Sequence, residues 1–174
     1  MFDPTAFDNM KVVIEGYLYD KDIDGELNIV DRNDVINLAK LSREYSIKFC
    51  LKNSPRESYG DFCLKAGLEN LSAELLPIKI KPRQGCVVQL QFFLTHPNEA
   101  DFYYKIQNEL GLIWGTNRKI TQSIQVDPLK ENLLIQNRII IDFNRLIEED
   151  QIDDLVDIVD HMVQTLIWME TLSQ

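Results

Sequence analysis

The chain has 174 residues, of which 45% are hydrophobic and 26% charged, the balance of an ordinary globular domain rather than a disordered chain. Only 7 Gly and 6 Pro exclude collagen-like or low-complexity structure, and no apolar run approaches the roughly 18–20 residues of a spanning helix. The 28 Asp and Glu outnumber the 18 Lys and Arg, giving a net charge of -10 that disfavours nucleic acid and anionic membrane surfaces as partners.

In chain order, the first five residues carry no basic segment followed by an apolar one, so a secretory leader is not expected. Lys11 to Tyr19 is rich in β-branched and aromatic residues and reads as a strand. Asp20-Lys21-Asp22-Ile23-Asp24-Gly25 reads as a hairpin turn, with Glu26 to Val30 returning as a short strand. Its alternating acids resemble part of a calcium loop, but the bidentate Glu that would complete one is missing. Asp31 then reads as the cap of a helix over about 32–43, with Val35, Leu38, Ala39 and Ser42 on one face.

Tyr45, Ile47, Phe49 and Leu51 alternate with polar residues and predict a half-buried strand. Asn53 to Gly60 reads as a loop. Cys63, Leu64, Leu68, Leu71, Leu75 and Leu76 suit a helix over about 62–76, although Gly67 would also permit a strand at its start. Ile78 to Arg83 reads as a loop or edge strand. Cys86, Val88, Leu90, Phe92 and Leu94 form the next alternating face. Pro97 is placed in the first turn of a helix that Gly111 would end. Ile120, Ile124 and Val126, a turn at Asp127 to Asn132, and Leu133 to Phe143 predict a hairpin.

Glu148 to Leu172 is the longest helical pattern. Eight of the 28 acids fall here and no Lys or Arg follows Arg145, so the rest of the chain, with 20 acids and 18 bases, is nearly neutral. Ile152, Leu155, Val159, Met162, Leu166 and Met169 recur at 3-4 spacing, and Val156, Val163 and Ile167 widen the stripe. Trp168 projects with Asp157, His161 and Gln164 on the polar side, where an exposed Trp would anchor a contact.

These elements predict one α+β domain over 1–174. It is a mostly antiparallel, five- to six-stranded sheet with helices packed on one face and a long amphipathic C-terminal helix. The outer sheet face would carry Lys48, Lys52, Gln89, Gln91, Thr121, Ser123, Gln125, Gln136 and Arg138.

Chemistry is sparse in the pattern. The phosphate-cradling glycine motifs, the GxSxG elbow and HExxH are all missing, so neither cofactor nor metal is expected. Cys50, Cys63 and Cys86 form no CxxC and read as thiols of a reducing cytoplasm, with Cys63 the most exposed and hence the one candidate nucleophile. His96, in Thr95-His96-Pro97-Asn98, sits at a strand-to-helix junction where a site with Tyr103 or Tyr104 would assemble.

The resulting expectation is a non-enzymatic cytoplasmic protein-binding factor, acting as an adaptor, regulator or chaperone-like protein. It would contact a partner or a second copy of itself through Trp168, Gln164, Asp157, Gln89, Gln91 and Gln125. The alternative is a small-molecule-binding domain or enzyme with its site near His96.

Overall fold

In the computed structural model the described residues are 5–54, 58–75, 85–131 and 133–172. Four helices, α1 (Ala6–Ile23), α2 (Leu68–Leu75), α3 (Ala100–Trp114) and α4 (Ile152–Thr171), accompany six strands. The strands are β1 (Leu27–Asn37), β2 (Ser42–Leu51), β3 (Tyr59–Ala66), β4 (Cys86–Pro97), β5 (Lys119–Gln125) and β6 (Leu134–Ile147). They form one antiparallel sheet in the order β1-β2-β3-β4-β6-β5. This is the α+β architecture expected from the pattern.

The inner face follows from period-two alternation. Ile47 pairs with Phe62, Phe62 with Leu90, Leu90 with Ile141, and Ile141 with Ile120, so one row of apolar side chains crosses five strands. Phe7, Met10, Ile14 and Leu18 of α1, Ile106 and Leu110 of α3, and Leu155, Val159, Met162, Leu166 and Met169 of α4 close over it in one core. Within the C-terminal stripe the 3-4 spacing is borne out, while Val156 and Val163 are half-buried and Ile167 is exposed. A capping box at Glu148 and Gln151 starts this last segment.

Lys11 to Tyr19 is helix, not strand. Phe7, Met10, Ile14 and Leu18 recur every three to four residues and face the sheet, and that period outweighs the β-rich composition. Asp20 to Gly25 therefore ends a helix rather than turning a hairpin. Gly25 adopts φ 81°, its N–H donates to the Asp22 carbonyl, and the Glu26 N–H donates to that of Lys21, which is a Schellman closure.

The helix expected over 32–43 is absent, because β1 runs on to Asn37 and pairs with β2 as far as Ser42. Asp31 sits at a bulge between Ile29 and the rest of β1, where its carboxylate accepts from the Arg32 N–H and the Asn33 amide instead of capping a helix. The helix expected over 62–76 splits at Gly67. Its first part is β3, where Phe62, Cys63 and Leu64 are all buried and the alternation is hidden, and only the second part is α2.

Pro97 ends β4 rather than opening α3, and α3 passes Gly111 to end at Gly115, where φ is 84°. The readings of Ile78 to Arg83, of Leu76 and Pro77, of the first four residues, of the centre of the 53–60 loop and of Asn132 lie outside the described residues.

Candidate interaction surface

The opposite face of the sheet is built from the alternate residues of the same strands. Registers Lys48–Asp61–Gln91–Ile140–Thr121 and Cys63–Gln89–Asp142–Lys119 run across it in parallel rows. Ser123 pairs with Arg138 and Gln125 with Gln136, so the predicted polar residues of β2, β4, β5 and β6 share one face, with Lys52 just past the end of β2.

Along the centre of this face the side chains bond one another. Arg138 Nε donates to Gln91 Oε1 at 3.0 Å, and Gln91 Nε2 donates to Gln89 Oε1 at 3.3 Å and to Cys63 Sγ at 3.5 Å. Gln89 Nε2 donates to Asp142 Oδ1 at 2.9 Å, while Lys65 Nζ donates to Gln89 Oε1 at 3.1 Å. The Lys48 ammonium stands 4.8 Å from the Phe93 ring centre.

Beneath this mesh, burial raises the Asp61 carboxyl above the usual range, partly offset by Lys48, and Asp61 Oδ1 finds no hydrogen-bond partner among the described residues. The arrangement is a set of donors and acceptors of both charge signs that bond one another across the face.

Cys63 is not the exposed thiol that the sequence suggests. It is 1% exposed, and burial followed by the neighbouring Asp61 pushes its thiol up to about 12, which removes it as a nucleophile. Cys86 is buried on the inner side and Cys50 is half-buried; all three are thiols, not disulfides.

His96 is likewise no open site, being 2% exposed and enclosed by Phe102, stacked at 5.5 Å, and Tyr103, edge-on at 5.1 Å. Its Nδ1–H donates to the Pro97 carbonyl at 2.7 Å, and Nε2 accepts from the Asn137 amide at 3.1 Å. Asn137 also donates to Gln122 Oε1, and Gln122 Nε2 donates to the Tyr103 carbonyl, so the network ties β4, β6 and β5 to α3. Burial lowers the His96 pKa and keeps the ring neutral. Tyr103 OH turns to Asn98, and Tyr104 points to solvent, so neither tyrosine completes a site there.

The expected contact residues divide between two surfaces. Gln89 and Gln91 lie together at the centre of the outer face, where Gln91 is buried rather than open to a partner, and Gln125 lies on that face at the far end of β5. Asp157, Gln164 and Trp168 lie on α4, in the helical layer behind the sheet. Asp157 and Gln164 are exposed, but Trp168 is half-buried against the core rather than projecting from it.

Asp157 and His161 instead line one wall of a cleft of about 210 Å³, whose floor is Trp114 and Phe143 and whose rim holds Arg118 and Arg145. The Arg118 guanidinium covers Phe143 at 4.3 Å, and Arg145 reaches Asp154 at 3.7 Å. No spacing in the sequence joins these residues; they meet only because α3, β6 and α4 converge.

Among the described residues no group of three His, Cys, Asp or Glu side chains is placed to hold a metal, and Asp20, Asp22 and Asp24 fall on the last turn of α1 and its cap. No helix among them is long and apolar enough to cross a membrane. Comparison with protein-family models, curated proteins and solved structures finds no match.

Proposed function

We propose that this chain is a protein-binding factor that holds an extended polar segment of a partner polypeptide on the outer face of its sheet. One observation carries the reading: among the described residues, the helices that close the core, α1, α3 and α4, lie on one side of the sheet. Its other side is a cross-bonded field in which Arg138, Gln91, Gln89, Asp142 and Lys65 are held in fixed orientations before any partner arrives. Prepositioned side chains lose little rotamer freedom on binding, so the field offers hydrogen bonds at low ordering cost. Phe93 and Ile140, both half-buried among these polar groups, add apolar anchors. The action is binding rather than turnover, without nucleic acid, and three thiols fit a cytoplasmic setting.

The test is selection of binders from a displayed random-peptide library, followed by amide shift mapping of the isotope-labelled protein with the selected peptide. Shifts confined to β3, β4 and β6, and loss of binding in Phe93→Asp, are expected. Shifts confined to the exposed faces of α1 and α4, or failure to select any peptide, would overturn the reading.

A further inference from the structure

The two edges of the sheet are unlike. At one edge β1 carries a bulge, Asp31, Arg32 and Asp34, and it is clamped by Lys11 and Arg43; these are the devices that blunt an edge against pairing. At the other edge β5 has no bulge, and its one charge is Lys119 at its first position. Its register with β6 is unbroken, and Ile120-Thr121-Gln122-Ser123-Ile124-Gln125 holds no charge, no proline and no glycine. In a chain of net charge -10, this is an uncharged six-residue run of an edge strand that contains β-favouring Ile and Thr, with Ile124 41% exposed.

We propose that β5 is the seam of a two-fold homodimer in which the β5 strands of two copies pair antiparallel and join their sheets into one of twelve strands. Self-pairing fixes the register. Opposed residues in an antiparallel pair must lie on the same sheet face, so a residue rather than a peptide bond sits on the two-fold axis. The centre of Lys119–Gln125 is Gln122, and pairing about it uses the whole strand. Ile120 then opposes Ile124 of the second copy on the inner face, and Thr121 opposes Ser123 on the outer face. Lys119 opposes Gln125, two positions from Asp127, so unlike charges are brought near and no like charges face each other.

The helix above the seam has the same character. Gln122 donates to the Tyr103 carbonyl and to Gln107, which sets α3 over β5. On that flank of α3 lie Gln107, Tyr104, which is 70% exposed, and Gly111, where an added Cβ would meet nothing. Asp101, Lys105 and Glu109 fall on another flank. Trp114 of α3 also packs on Phe143 of β6, so the helix spans the last two strands. Two strand spacings of about 4.8 Å equal the roughly 8–10 Å at which helices pack, so the two α3 helices meet across the axis. Extending the register one residue past the strands sets Val126 of one copy opposite Arg118 of the other, which stands at the rim of the Trp114 cleft.

Sedimentation equilibrium decides the matter. The expected mass at tens of micromolar is twice the chain's 20.3 kDa, falling to the single-chain value in Ile124→Lys, while Val35→Lys on the opposite edge leaves the dimer intact. A second arm does not depend on how Ile124→Lys folds. In a Cys50→Ser background, Thr121→Cys with Ser123→Cys should give a disulfide-linked dimer on mild oxidation, since opposed Cα atoms of paired strands stand about 4.5–5.5 Å apart, within disulfide reach. A wild-type monomer at that concentration, a dimer that survives folded Ile124→Lys, or failure of the double-cysteine variant to cross-link would each overturn the proposal.

Discussion

The indole N–H of Trp114 on α3 donates to the Thr165 hydroxyl on α4 at 3.0 Å, and both side chains are buried. The Thr165 hydroxyl in turn donates to the His161 carbonyl at 2.8 Å, so it satisfies two groups at once. Thr165→Val keeps the shape but removes the acceptor, leaving a buried indole N–H unpaired. Such a loss costs about 1–3 kcal/mol. Thr165→Ser retains the hydroxyl and should cost less. Urea unfolding of the two variants checks this; equal midpoints for Val and wild type would mean that the bond contributes nothing.

His96 gives a pH dependence of definite sign. Its folded pKa lies below the ordinary 6.5, because protonation would bury a charge against Phe102 and Tyr103 and turn an Nε2–H toward the Asn137 amide donor. The unfolded chain therefore binds the proton more readily. The contribution of neutral His96 is fully present above pH 6.5 and is lost as pH falls below it. His96→Gln should flatten the stability profile between neutral pH and the carboxylate range. A profile as steep as that of the wild type would show that His96 is not the group responsible.

The alternation that marks β2, β4, β5 and β6, and the 3-4 spacing of α4, is legible because each element buries one face only. Where that condition fails, so does the sequence reading. In β3, Phe62 and Leu64 face the helices while Cys63 is covered on the other side by Gln91, so three consecutive residues are buried and the strand resembles a helix. At 32–43 the apolar spacing is helical, but Val35, Leu38 and Ala39 are all exposed and mark a hairpin instead of a buried stripe. The outer face was readable as a set of residues. Its cross-bonding, and the Trp114 cleft, were not, since both depend on which strands and helices become neighbours.

The thiols offer a direct chemical check on the burial of Cys63. With a pKa pushed up to about 12, its thiolate fraction at pH 8 is about one in ten thousand, and 1% exposure bars a reagent as well. Cys86 is fully buried, and burial also raises the half-buried Cys50. Thiol titration of the native protein at pH 8 should find at most one reacting group, at Cys50, and three after denaturation. Cys50→Ser should abolish the native signal. Two or more fast groups in the native protein would contradict the placement of β3.

The C-terminal helix provides the test of the core. Leu166 is fully buried between α4 and the sheet, and deleting its side chain to Ala should cost about 2–5 kcal/mol, a large part of a total stability of about 5–15. Asp157, exposed on the same helix, should change stability by less than about 0.5 kcal/mol when replaced by Asn. Trp168 separates two roles. Packed against the core yet half-exposed, it should destabilise on truncation to Ala by less than Leu166→Ala, because part of its ring stays in water in the folded state. Urea midpoints at fixed concentration order the three variants, and sedimentation across a concentration series reads association in parallel. With β5 as the seam, Trp168→Ala should leave the associated mass unchanged. Loss of association in Trp168→Ala at unchanged stability would instead place the contact on α4, and a neutral Leu166→Ala would mean that α4 does not close the core.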